Sequence, residues 1–257
     1  MHLVDRGLGP SVLLLHGQPG WGREFDPVVA ELGDDVRLLV PDRPGYGWSA
    51  GKATSIADQA RLLAAELRSR SAAPAVVVGH SFGGGVALAL ALDHPEVVAG
   101  LVLVSSIGGA GSVTAGDFVL GAPVIGTVTS LLALFGYGQL LARLAKRVRR
   151  PELVTNVPQH PSWITPGELT AFVDEQRHLV REAPGIEARL GEVRCPSIVL
   201  QGSIDLIVAP AAGRDLAERL DAELVELDGL GHLLPRDAPE VIADAIRRLV
   251  GTAPPIG

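Results

Sequence analysis

Residues 75–88, Ala75-Val76-Val77-Val78-Gly79-His80-Ser81-Phe82-Gly83-Gly84-Gly85-Val86-Ala87-Leu88, decide how the rest of the chain is read. A short apolar run enters a sharp turn, and a run of small residues with helical character leaves it. Ser81 sits in the turn, inside the pattern G-x-S-x-G. In a strand-turn-helix of this kind the serine is held on a tight corner, its hydroxyl projecting from the carboxyl end of a sheet with a helix N-terminus behind it. Gly79 and Gly83 lack a Cβ, so strand and helix can approach closely. The chain carries its own control. Gly47-Trp48-Ser49-Ala50-Gly51 fits the same pattern, but it follows a proline- and glycine-rich loop and runs into Lys52 without opening a helix. Ser49 therefore reads as a loop residue and Ser81 as a nucleophile.

Outward from this stretch, short apolar runs recur at Leu3-Val4, Val12 to Leu15, Val36 to Val40, Leu101 to Val104, Ile198 to Leu200 and Leu224 to Leu227. Between them lie helical patterns. Phe25 to Leu32 is one. Ser55 to Arg70 repeats apolar residues at helix spacing, with Ser55 and Asp58 placed for a capping box. The last helix starts around Asp237 and Pro239. Continuously apolar strands alternating with amphipathic helices predict an α/β fold, a mostly parallel, doubly wound sheet covered on both faces. Sites in such sheets lie at the carboxyl ends of the strands. From Ile107 to about Leu190 the alternation stops, and helical patches such as Gln139 to Arg147 and Glu168 to Arg181 take over. The chain divides on this reading into a core domain, residues 1–106 and 191–257, and a helical lid insertion, residues 107–190.

Phe118 to Ala142 holds no charged residue, which is long enough to span a bilayer. Five glycine and proline breakers interrupt it and it would split a sheet in two, so it reads as an apolar lid over a greasy pocket, with no stable membrane insertion. Net charge is −7, from 22 basic and 29 acidic residues. That disfavours nucleic acid, whose phosphates demand a basic face. The basic cluster Arg143 to Arg150 reads as a solvated helix face. Gly45 to Ala50 resembles a degenerate dinucleotide pattern, but no helix opens on it. Cys195 is the single cysteine, so no intrachain disulfide marks an oxidising compartment, and it reads as a small buried hydrophobe. No basic segment followed by an apolar core appears at the N-terminus, and a cytoplasmic location is expected. No metal-ligand spacing is present, and neither metal nor cofactor is expected.

A serine hydroxyl needs a base within hydrogen-bond reach, and the base needs an orienting acid. Among seven histidines, His232 lies in a loop after the last strand pattern and before the last helix, where it can reach over the carboxyl edge. His16, at a strand end, reads as a turn residue, and His94, before Pro95, as a helix cap. Asp205 follows the strand pattern at Ile198 to Leu200 and is the expected acid; Asp228 is nearer His232 in sequence but harder to orient. The backbone N–H groups of Phe82 and Gln18 are expected to stabilise the oxyanion, and the Gln18 side chain is an alternative pocket wall. Trp21, His80, Phe118, Phe135 and Trp163 are the other expected pocket walls.

The blocks His16-Gly17-Gln18-Pro19-Gly20, Asp42-Arg43-Pro44-Gly45-Tyr46-Gly47, Gly79-His80-Ser81-Phe82-Gly83-Gly84, Gly202-Ser203-Ile204-Asp205 and Gly231-His232 together resemble the α/β-hydrolase superfamily, over nearly the whole chain. The resemblance implies an eight-stranded sheet with a lid after the sixth strand. Here only about seven strands are visible, with a shortened amino-terminal hairpin. Epoxide hydrolases and haloalkane dehalogenases of the superfamily carry aspartate at the nucleophile position, where this chain has Ser81. Proline iminopeptidases have tryptophan after the serine, where this chain has Phe82. The meta-cleavage C–C hydrolases usually show a longer glycine-proline loop than His16 to Gly20. These departures favour a carboxylesterase acting on a small-molecule ester substrate through an acyl-enzyme. A C–C bond hydrolase, a lactonase or a tailoring hydrolase with the same triad is the alternative. A small-molecule receptor that keeps the triad is a third reading, of another class. Oligomeric state is not legible.

Overall fold

The computed structural model describes residues 1–109, 111–122, 125–132, 136, 140, 143–144, 147 and 165–252. Among these residues seven strands form one sheet: β1 (Leu3–Arg6), β2 (Ser11–Leu15), β3 (Arg37–Pro41), β4 (Ala75–His80), β5 (Val98–Val104), β6 (Ser197–Gly202) and β7 (Glu223–Leu227). Their spatial order is β1-β3-β2-β4-β5-β6-β7. β1 pairs antiparallel with β3, and every other pairing is parallel. Each strand coincides with an apolar run in the sequence. The helical insertion follows the fifth strand of seven. The eight-strand count placed it after the sixth, and the difference is one strand at the amino-terminal edge.

Successive side chains of a strand point to opposite faces, and here each face has its own core. Leu13, Leu15, Val77, Leu101, Leu103 and Val199 belong to one apolar cluster. Val12, Leu14, Val76, Val78, Val102, Val104 and Leu200 belong to the other. Helices α2 (Ile56–Ser69) and α3 (Phe82–Asp93) contribute to the first cluster, and α1 (Asp26–Leu32) contributes Val28 and Leu32 to the second. The chain therefore leaves β2 toward one face and β4 toward the other. These two strands are neighbours, so their diverging carboxyl-end loops open a crevice, the usual ligand position in such sheets.

Ser55 accepts a hydrogen bond from the Asp58 N–H at 3.0 Å and caps α2; the Asp58 carboxylate turns to Arg61 instead of closing the box. The insertion contributes α4 (Ala115–Leu120), α5 (Gly126–Leu131) and the long α6 (Pro166–Ala188). Thr165 and Glu168 form a reciprocal capping box at the start of α6, with Pro166 at its first position. Among the described residues, the first part of the uncharged stretch from Phe118 lies in two six-residue helices, α4 and α5, and no helix among the described residues is long and apolar enough to cross a membrane. The expected helix at Gln139 to Arg147 lies largely outside the described residues. Cys195 is half-buried at the edge of a core cluster, short of the full burial expected, and burial raises its thiol pKa. After β6 come α7 (Pro210–Leu220), the short α8 (Leu234–Asp237) and α9 (Pro239–Thr252). α9 closes the second core with Ile242, Ile246 and Leu249.

Candidate active site

Ser81 lies between β4 and α3 with φ 53° and ψ −120°. A non-glycine residue at positive φ is strained, on the order of 1–3 kcal/mol, and persists where its surroundings over-determine it. Here the Ser81 N–H donates to the Val104 carbonyl at 3.0 Å, and the Ser81 carbonyl accepts from the Gly84 and Ile107 amides at 3.0 and 3.3 Å. The turn is also compressed from behind. A Cβ on Gly83 would stand 2.2 Å from the Leu15 carbonyl oxygen, and one on Gly79 would stand 2.5 Å from the Gly84 Cα. Both obstacles are backbone, so only glycine fits. Phe82 opens α3, and a first-turn amide has no carbonyl acceptor within its own helix.

His232 lies in the loop between β7 and α8, and Asp205 in the loop after β6. The His232 Nδ1 is 2.8 Å from an Asp205 carboxylate oxygen, and both residues are buried. The other Asp205 oxygen accepts the Ile207 and Val208 amides at 2.8 and 2.9 Å, and Gln201 donates to the first at 3.2 Å. Burial pushes the Asp205 carboxyl up, but the adjacent His232 charge, its hydrogen bond and the two amides outweigh it and hold the carboxyl below its usual value. An ionised Asp205 can only accept, so Nδ1 carries a proton, which leaves Nε2 as the ring nitrogen free to take or give one. Asp228 is exposed and takes a hydrogen bond from Ser203 instead.

Ser81, His232, His80, Gln18 and Trp21 line one cavity of about 340 Å³, with Gly17, Glu24, Ile207, Leu233 and Pro235. Ser81 is 7% exposed there. The Gln18 side-chain oxygen is buried without a hydrogen-bond partner among the described residues. Phe118 stands elsewhere. It is 58% exposed and faces a separate groove with Gln176 and Arg177, because α4 is a short helix with no buried residue of its own. The expectation that it walls the pocket around Ser81 is corrected accordingly. Phe135 and Trp163 lie outside the described residues.

Three charged residues around the site, Arg43, Glu175 and Glu24, have no role assigned from the sequence. Arg43, fully buried, donates to the carbonyls of His16 and Gly17 at 2.9 Å each, and so braces the loop that carries Gln18. Its guanidinium is paired with Glu175 of α6, which also accepts from Tyr46 at 2.8 Å and Gln59 at 3.0 Å. His16 accepts from the Arg43 amide through Nε2 at 2.9 Å and reaches the Gly17 carbonyl through Nδ1 at 2.7 Å. Burial, with the Arg43 charge beside it, pushes the His16 imidazole down to about 3. Glu24 is the third charge. Its carboxylate meets His80 Nδ1 at 2.6 Å and the Gly17 amide at 3.3 Å. The signal for Glu175 was present in the sequence: it shares one face of α6 with Phe172, Leu179, Ala183 and Ile186, all buried, and a carboxylate on an apolar helix face requires a partner. Ser49, the control serine, donates to the Asp42 carbonyl and accepts from the His2 amide.

A family model described as "Alpha/beta hydrolase family" matches residues 12–245. The chain is 30% identical to the pimeloyl-[acyl-carrier protein] methyl ester esterase of Xanthomonas axonopodis pv. citri, over 99% of this chain and all of that protein. It is 28% identical to the 2-hydroxymuconate semialdehyde hydrolase of Pseudomonas putida, over 98% of this chain and 91% of that one. Among solved structures it resembles Est816, described as an N-acyl homoserine lactone degrading enzyme, with a TM-score of 0.70 and 25% identity over 96% of this chain and 95% of that one.

Proposed function

The chain belongs to the alpha/beta hydrolase family, and on that premise we propose that it is a serine hydrolase of small, largely apolar carbonyl substrates, working through Ser81, His232 and Asp205. The observation that carries the reading is the 2.8 Å contact between Asp205 and His232 at the cavity that the strained Ser81 turn also lines. In the proposed reaction the Ser81 hydroxyl attacks the carbonyl carbon while His232 Nε2 takes its proton. The oxyanion so formed is held by the Phe82 and Gln18 amides. Collapse of the tetrahedral intermediate breaks the bond to the leaving group, which receives the proton from His232. Water then enters by the same route in reverse, releasing the acid and restoring Ser81. Asp205 orients His232 and stabilises its cation throughout. Residues 107–190 act as the lid over a core of residues 1–106 and 191–257.

Carboxylic esters are the first substrate class. Pro19, Trp21, Pro27, Ile207, Leu233 and Pro235 give the cavity apolar walls, which suit an uncharged acyl or alkyl group. The similarity is spread over proteins named as an ester hydrolase, a semialdehyde hydrolase and a lactone-degrading enzyme. That spread supports the wider reading, the same triad acting on a lactone or a C–C bond, ahead of carboxylesterase activity alone. The test is a panel of p-nitrophenyl esters from acetate to long acyl chains, beside N-acyl homoserine lactones, with wild type and Ser81→Ala in parallel. Turnover of one class with a chain-length optimum, lost by at least about 10⁴-fold in the variant, is the expected result. A folded Ser81→Ala protein that retains turnover overturns the mechanism.

A further inference from the structure

His80 has an acceptor at each ring nitrogen. Nδ1 lies 2.6 Å from a Glu24 carboxylate oxygen, and Nε2 lies 3.0 Å from the main-chain carbonyl of His232. A carbonyl can only accept, so Nε2 carries a hydrogen. The same Glu24 oxygen also accepts the Gly17 amide at 3.3 Å, so with the second ring proton on Nδ1 two N–H donors converge on it. The backbone has made room for this pair. A Cβ on Gly17 would lie 2.9 Å from His80 Nδ1, and one on Gly20 would lie 3.1 Å from the second Glu24 oxygen. Both side chains line the cavity shared with Ser81 and His232.

We propose that the Glu24–His80 pair, with the imidazole buried and the carboxylate half-buried, is a carboxylate–imidazolium strut that positions three parts of the site at once. Through His80 Nε2 it holds the main chain of His232, through Glu24 it holds the amide next to Gln18, and through the peptide bond His80 sets the entry of Ser81 into its turn. The role rests on the hydrolase reading above, and both residues are positioning residues. The charged groups around His80 are Glu24 from the turn before α1, Asp205 from the loop after β6 and His232, whose ring centroid is 4.9 Å from that of His80. His16 faces Glu24 in turn, and Arg23 and Arg236 also line the cavity. Burial alone lowers the His80 pKa, but the Glu24 charge and hydrogen bond outweigh it and leave it above its usual value. Burial likewise raises the Glu24 carboxyl, and His80 more than reverses that.

The experiment pairs two readouts on the intact protein. Imidazole ¹⁵N resonances, assigned with His80→Gln, follow His80 through a titration of wild type and Glu24→Gln. The rate at which a fluorophosphonate labels Ser81 is measured across the same pH range in wild type, Glu24→Gln and Glu24→Asp, with thermal melts as the folding control. In wild type the His80 titration is expected above about 6.5, the ordinary histidine value, and labelling falls on the alkaline side as His80 loses its proton. In Glu24→Gln the titration moves below that value, labelling near neutral pH slows by about tenfold or more, and the alkaline fall disappears. Glu24→Asp, which keeps the carboxylate, recovers part of the rate. A His80 that titrates below 6.5 in wild type, or equal labelling rates and profiles in wild type and folded Glu24→Gln, overturns the strut and leaves the hydrolase reading standing. Wild type that does not label at all overturns the hydrolase reading, and the role of the strut with it.

Discussion

At Asp205 both carboxylate oxygens are committed, one to two backbone amides and the other to His232 and Gln201. The amide bonds fix the rotamer, so the acid presents a single oxygen to His232 and cannot follow it if it turns. Asp205→Asn is expected to keep this geometry while offering an N–H or a weaker acceptor to Nδ1. The ring then loses the tautomer that leaves Nε2 basic, and turnover should fall by about 10³–10⁴-fold with little change in KM. Steady-state kinetics on whichever ester or lactone wild type cleaves checks this; a loss below tenfold would remove Asp205 from the proposed machinery. The candidate site residues were legible as candidates where a backbone pattern accompanied them. Ser81 has its strand-turn-helix, and Asp205 and His232 each follow a strand pattern. Phe118 had only its apolar character, which says nothing of direction, and the structure turns it away from the Ser81 cavity.

α6 is tied to the core by a charge as well as by packing. Phe172, Leu179, Ala183 and Ile186 bury an apolar face, and Glu175 sits among them, paired with Arg43. Removing one member of a buried pair leaves the other charge without compensation, at a cost of about 3–5 kcal/mol. Glu175→Gln is expected to lose stability on that scale in urea denaturation. Because Arg43 also holds the His16 and Gly17 carbonyls, the variant should slow Ser81 labelling although it touches neither Ser81 nor His232. A stability loss under about 1 kcal/mol would show that α6 is held by its apolar face alone. Helix existence at Glu168 to Arg181 was legible from spacing. Its true extent, Pro166–Ala188, was not, since the capping box at Thr165 and the passage through Pro184 depend on what the helix packs against.

For the whole molecule, the interior histidines make stability depend on pH in two directions. His16 is buried neutral, with its pKa pushed down to about 3. Between about 6.5 and 3 the unfolded chain takes a proton there that the folded chain refuses, so stability must fall as pH falls through that window, by about 1.4 kcal/mol per pH unit. His80 has the opposite sign. Its pKa is raised, so the stability it adds is full below about 6.5 and is lost as pH rises through its folded value. Urea midpoints from pH 5 to pH 9 should therefore peak near neutrality. His80→Gln should flatten the alkaline side and leave the acid side in place. A curve flat between pH 5 and pH 6.5 would contradict the His16 assignment.

The order of strands and helices, the parallel sheet with its helical insertion, and the glycine-lined turn at Ser81 were determined by the sequence alone. Apolar periodicity and the steric demands of single backbone positions act over a few residues, so they can be read from a few residues. The closed partnerships were decided by the tertiary structure: Glu24 with His80, Arg43 with Glu175, and the walls that surround Ser81. A long charged side chain is compatible with water in any local pattern. Which one is buried, and against what, is settled only when strands and helices distant in sequence pack together and the cost of an unpaired interior charge selects its partner.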